Sequence, residues 1–130
     1  MAVVLRRGED VHESLVRLAR EAELRSAFIV GLGAIEEAVL AFYDPELKEY
    51  QPTEIRGVHE VGNLTGNLTR VDGEPFAHIH VVIGGRDLGA RTGHLVSARV
   101  GATMELFVRD LGTEIARSPN AEIGLKLWDL

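Results

Sequence analysis

His78, His80 and His94 are the side chains whose type and spacing best support chemistry, and they make up three of the five histidines in the chain. They follow an H-x-H-x13-H pattern. Side chains two apart on a β-strand share a face and are separated by roughly 6.6 Å of rise. Two imidazoles so placed can converge on one metal ion, with a third supplied from a neighbouring strand. A lone histidine is ordinarily a half-buried ring satisfied by a carbonyl. A pair on one face, with a third after a glycine-rich connection, differs from that case. Zinc, or another divalent transition metal, is the expected ion. Imidazole suits it, and a three-histidine set leaves the fourth position open for water or substrate.

Glu60 and Glu105 are the candidate catalytic carboxylates, as general base or as support for the ligands. Glu105 alternates with Met104, Leu106 and Val108, which sets it on the face away from those residues. A solvated strand carboxylate is the plain alternative. A cupin would carry a Glu four or five residues after its H-x-H, where this chain has Gly84 and Gly85. H-E-x-x-H is absent. Gly31-x-Gly33 lacks the third glycine of a dinucleotide loop, since Glu36 stands there, so a β-bulge or a close backbone approach explains it better. The Gly84–Gly93 segment carries Arg86 and Arg91 but no G-K-[ST], and reads as a connection with exposed arginines. His12 is expected to be solvated, and His59 is left outside the site.

The elements that must position the histidines can be read from periodicity. Met1 to Arg6 is a short strand. Asp10 reads as an N-cap, with Glu13 completing a capping box. Val11, Leu15, Leu18, Ala19 and Ala22 form an apolar helical stripe, and Glu13, Arg17, Arg20 and Glu21 face outward. The helix is expected to end near Leu24. Ala27 to Val30 is a buried strand that resumes at Ala38 and closes at Asp44-Pro45. Further strands run from Lys48 to Tyr50, from Thr53 to Val61 and from Leu64 to Thr69. Asp72-Gly73 marks a hairpin. In Phe76 to Ile83, Ala77, Ile79, Val81 and Ile83 make one face; Phe76, His78, His80 and Val82 make the other. His94 to Val100 and Thr103 to Val108 are two more strands. Ser118-Pro119-Asn120 reads as a break, and Leu125 to Trp128 as a last short strand. The fold class is α+β: a mainly antiparallel sheet of about six to eight strands, with one long N-terminal helix and a short C-terminal segment packed on it.

Composition narrows the function. At 130 residues, 45% apolar and 26% charged, the chain is expected to be one globular domain over residues 1–130. There is no cysteine, which excludes disulfides and thiolate metal sites. No apolar run reaches a membrane span, and the N-terminus lacks the order of a signal peptide, so the expected location is cytoplasmic. A net charge of −6 opposes binding to a phosphate backbone unless basic residues gather on one face. Arg6-Arg7 is the one adjacent basic pair.

The ordered series Glu60-Val61-Gly62-Asn63-Leu64-Thr65-Gly66-Asn67-Leu68, Asp72-Gly73-Glu74-Pro75, His78-Ile79-His80, Gly93-His94-Leu95 and Thr103-Met104-Glu105 resembles the Plants and Prokaryotes Conserved (PPC) domain. Gly31-Leu32-Gly33-Ala34, Tyr43-Asp44 and Tyr50 fit it too, so the resemblance runs from about Val3 to Val108. It implies an antiparallel-rich sheet flanked by helices and a homotrimer. It also implies a metal held by the three histidines, which are His78, His80 and His94 here. Plant members join the domain to an AT-hook in DNA-binding nuclear proteins. This chain has no R-G-R-P core, and reads Thr92-Gly93 where Gly-Gly is usual.

The expected function is therefore a stand-alone, trimeric binding and assembly module with a three-histidine metal site. DNA association is expected to be weak for the isolated domain. The alternative is a metal-dependent enzyme acting on a small molecule, with Glu105 or Glu60 as base. Direct sequence-specific DNA binding ranks below both.

Overall fold

The structure is a computed structural model and describes residues 1–130. In chain order the elements are β1 (Ala2–Arg6), α1 (Val11–Glu21), β2 (Ala27–Asp44), β3 (Glu49–Ile55), β4 (His59–Val71), β5 (Glu74–Gly84), β6 (Ala90–Asp110), β7 (Ala116–Asn120) and β8 (Leu125–Asp129). All strands join one sheet, ordered β3-β2-β6-β5-β4-β7-β8, with β1 on β6. The sheet also closes on itself. β2 pairs with both β6 and β4, and β5 pairs with the other edges of those two. Every pairing is antiparallel except the single β4–β7 bridge, Arg70 to Ala116.

The inner face of this circuit holds the core. Ile29, Leu64, Leu68, Ile79, Ile83, Leu95, Met104 and Leu106 are buried there. Helix α1 packs against β4, β5 and β6, sinking Val11, Leu15 and Ala19 into the same cluster. Each fully buried Val or Leu contributes about 1.5–3 kcal/mol, more than the ~1 kcal/mol of an N-cap. Packing therefore decides where the helix lies, and the cap decides where it starts. Asp10 does cap it, accepting from Glu13 N at 2.9 Å.

The helix departs from expectation in length. It has 11 residues, about three turns, and is the one helix of a mainly β fold rather than a long element. Ala22 is the exposed C-cap, not part of the buried stripe. Glu23 follows at φ 52, in the left-handed region that ends helices. No helix is long and apolar enough to cross a membrane.

Two strand boundaries also differ. β2 runs unbroken through Gly31 and Gly33, with register shifts there against both neighbours. A Cβ at either glycine would press into the β6 backbone, at the carbonyls of Glu105 and Thr103. That is the close approach expected of these residues. β6 is one 21-residue strand where two were expected. Gly101 opens a bulge: residues 101–103 have no partner on β2, whose register jumps from Ile35–Val100 to Gly33–Met104, and the ladder resumes beyond it. Ser118-Pro119-Asn120 lies within β7, not in a break: Pro119 stands opposite Lys126 in the β7–β8 ladder, and the other edge of β7 carries only the one bridge to β4.

Asp72 and Gly73 form the β4–β5 turn, with φ of 51° and 81°. Positive φ at both centres is what a type I′ hairpin turn requires. This turn fixes the β4–β5 register and so places Asn67 opposite His78 and Thr65 opposite His80.

Candidate metal centre

The outer face of β5 carries Phe76, His78, His80 and Val82. The Gly84–Gly89 connection then returns the chain so that His80 pairs directly with His94 on β6. One ring nitrogen from each of His78, His80 and His94 lies within 4.8 Å of the others. Ring centroids are 5.2 Å apart for His78–His80, 5.2 Å for His78–His94 and 5.5 Å for His80–His94. His80 is exposed, and His78 and His94 are half-buried.

Electrostatics keep two of these rings uncharged near neutral pH. Burial, then the Arg117 charge, then His80 push His78 down to about 4. Burial, followed by His78, His80 and His12, pushes His94 down to about 4. A metal ligand must present a deprotonated nitrogen, so this suppression favours ligation over protonation. His94 adds a second sign. Its Nδ1 is buried without a hydrogen-bond partner, and an ion is one way to satisfy such an atom. An all-imidazole donor set also suits zinc and its neighbours in the first transition row.

The surroundings come from distant parts of the chain. Tyr50 of β3 stacks on His94, centroids 4.6 Å apart. The β7–β8 hairpin lies beside the cluster and brings Arg117, whose Nη2 approaches His78 Nδ1 at 3.3 Å. The same hairpin is tied to the β2–β3 turn by Tyr43, whose hydroxyl donates to Ile123 O, and by Lys48 Nζ donating to Ala121 O at 2.9 Å. Three clefts of about 390, 380 and 430 Å³ open onto the histidines, the third touching all of them. Phe28, Leu111, Ile115 and Trp128 line the first; Tyr50, Phe76 and Arg117 line the second.

The candidate carboxylates stand elsewhere. Glu60 pairs with Gly84, four residues along β5 from His80, or roughly 13 Å of strand. Glu105 sits between Val4 of β1 and Leu32 of β2, far along β6 from His94. Neither joins the histidine group. His59 stays apart as well, with its Nδ1 at 3.1 Å from Gly57 O. His12 is not solvated as expected. Helix packing encloses it, its Nδ1 is buried without a partner, and burial lowers its pKa.

Arg117, Asn67 and Trp128 had no signal in local spacing. Arg117 is remote in sequence and stands just before Ser118-Pro119-Asn120, the segment that reads as a break. Tyr50 could have been found: it and Tyr43 are the only tyrosines, and they face each other across the Asp44-Pro45 turn.

Solved structures of known proteins share this fold. A plant- and prokaryote-conserved (PPC) protein of Pyrococcus horikoshii is 30% identical, with a TM-score of 0.94 over 100% of this chain and 90% of that one. A metal-containing protein of Archaeoglobus fulgidus is 33% identical, with a TM-score of 0.92 over 100% and 92% of the two chains. A candidate DNA-binding protein of Bacteroides thetaiotaomicron is 32% identical, with a TM-score of 0.94 over 98% and 90%. No curated protein matches the chain. The family model described as the Plants and Prokaryotes Conserved (PCC) domain matches residues 1–112, a span that ends before β7. With that much of its length matched, the chain belongs to the Plants and Prokaryotes Conserved domain family.

Proposed function

We propose that residues 1–130 act as one binding and assembly module that holds a divalent metal ion, zinc by preference, on His78, His80 and His94. The observation that carries this reading is the meeting of three imidazole nitrogens within 4.8 Å on one outer face. The similarity to a metal-containing protein of Archaeoglobus fulgidus supports it. No carboxylate joins the cluster, which favours binding over catalysis.

Assembly is assigned to a second part of the outer face. Val4, Leu32 and Phe107 are 62%, 55% and 70% exposed. The β1–β6–β2 register sets them side by side, with Glu105 among them. A contiguous apolar patch on a soluble chain is commonly an interface. Its occupants here are other copies of this chain, in the homotrimer that the family resemblance implies. Glu105 then belongs to the interface rather than to the chemistry. DNA association, carried over from the Bacteroides relative, is the weakest component, because a net charge of −6 repels phosphate. The module works in the cytoplasm in this reading.

A second reading, a metal-dependent enzyme acting on a small molecule, draws on the three clefts beside the histidines. Their volumes fall within the range of small-molecule sites, about 300–1,000 Å³. A three-histidine ion keeps an open position there that can activate water.

Elemental analysis of the purified protein beside a His78→Ala, His80→Ala double variant tests the site. Near-stoichiometric metal in the first and none in the second is expected. Chelation should lower the melting temperature of the first only, since a ligand of the native state raises its stability. Light scattering tests the assembly: a trimer is expected, and Phe107→Glu should shift it to monomer. A monomeric unsubstituted chain at micromolar concentration would remove the assembly reading.

A further inference from the structure

The guanidinium of Arg117 is held on every side. Its Nε donates to Thr69 Oγ1 at 2.9 Å, and its Nη1 to Lys126 O at 2.8 Å. Its Nη2 donates to Asn67 Oδ1 at 2.9 Å and lies 3.3 Å from His78 Nδ1. The Phe76 and Trp128 rings lie 5.3 and 5.9 Å from its central carbon. A group so fixed in place has a definite effect on its neighbour.

Arginine has only donors. His78 Nδ1 must therefore accept, and the ring proton of neutral His78 sits on Nε2. A nitrogen that carries its proton cannot ligate a metal. For Nε2 to offer its lone pair, the proton must move to Nδ1, which then becomes a donor facing a donor. Arg117 cannot receive it. Asn67 Oδ1 can: Asn67 pairs with His78 across the β4–β5 ladder, and its oxygen already sits beside the same guanidinium nitrogen. Metal-bound histidines almost always donate their other N–H to an oxygen of this kind.

We propose that Asn67 and Arg117 are positioning residues that select the tautomer of His78. Arg117 holds the metal-free form, and Asn67 takes the His78 N–H when a divalent ion is bound. The proposal rests on the metal reading of the histidines above. It adds that the β7–β8 hairpin, which lies beyond the family-matched span, opposes metal loading through one hydrogen bond.

The test uses ¹⁵N-labelled protein and long-range proton–nitrogen spectra of the histidine rings, with and without stoichiometric zinc. His78 should carry its proton on Nε2 without zinc and on Nδ1 with it. Zinc affinity is read by competition with a chromogenic chelator. Asn67→Ala should weaken it about ten- to hundred-fold. Arg117→Met should tighten it about five-fold, the equivalent of one hydrogen bond of ~1 kcal/mol. His78 keeping its Nε2 proton in the zinc-bound protein overturns the proposal, as does weaker binding in Arg117→Met. Should that variant unfold, the spectra of the unsubstituted protein decide alone. Equal zinc uptake by the unsubstituted chain and the His78→Ala, His80→Ala variant would sink the metal reading itself, and this proposal with it. Loss of zinc in the double variant with no tautomer change would sink the proposal alone.

Discussion

One strand, β5, faces two different worlds. Inward, Ala77, Ile79, Val81 and Ile83 are buried against α1 and the closed sheet. Outward, His78 and His80 meet His94, Arg117 and solvent. The backbone hydrogen bonds are shared, so the difference lies in side chains alone. The inner face needs apolar volume and little else, because its free energy comes from area removed from water. The outer face contributes little to that sum and is free to carry groups chosen for chemistry. Stability and function are separated by the two-residue period of the strand.

The sharpest way to break this comparison is to substitute neighbours on opposite faces. Ile79→Ala is expected to cost about 2–5 kcal/mol, seen as a lower urea midpoint, because a fully buried side chain leaves a cavity. His78→Ala, one residue away, should stay within about 0.5 kcal/mol in metal-free protein, as substitutions outside the core usually do. Equal losses at the two positions would mean that the outer face also holds the fold together.

Acid titration probes the outer face next. His78 and His94 are lowered from 6.5 to about 4 in the folded chain. On acidification the unfolded chain takes up these protons first, so their contribution to stability is complete above pH 6.5 and is lost as pH falls towards about 4. Urea midpoints of metal-free protein should be level above that window and fall within it. Ile79→Ala should lower the whole curve without changing its slope there, whereas the His78→Ala, His80→Ala variant should make it shallower, with His94 carrying the slope that remains. A curve of unchanged slope in the double variant would place the proton linkage on His94, which that variant retains, with His12 the next residue to examine.

The smallest effect concerns how the helix that covers the inner face is started. Asp10→Ala should cost about 1 kcal/mol, the usual worth of an N-cap, and leave zinc uptake unchanged. A change in zinc uptake would show that the two faces are coupled through α1.

Much of this was legible in the residues. Alternation in Phe76 to Ile83 assigned both faces of β5, and Asp72-Gly73 announced the hairpin that sets its register against β4. The stripe Val11, Leu15 and Ala19 assigned the inner side of α1. These are signals within one element, where the backbone period alone relates side chains a few residues apart. The misses share a different cause. β6 read as two strands because Gly101 breaks its pattern, and only the neighbouring β2 shows that the ladder resumes beyond a bulge at 101–103. His12 read as solvated because its helix neighbours are charged, while the strands that α1 packs against lie far away in sequence. Glu60 and Glu105 read as bases because strand alternation reports a face and not a position along it.

By itself the sequence determined the class of donor, the strand that presents two of the three imidazoles, and the family. Tertiary structure alone decided that His94 lands opposite His80, that no carboxylate reaches the group, and that Arg117 comes back from the end of the chain to touch His78. Spacing can relate side chains only along one element. Contacts between elements depend on how a closed sheet curls and where its last hairpin finds room to pack.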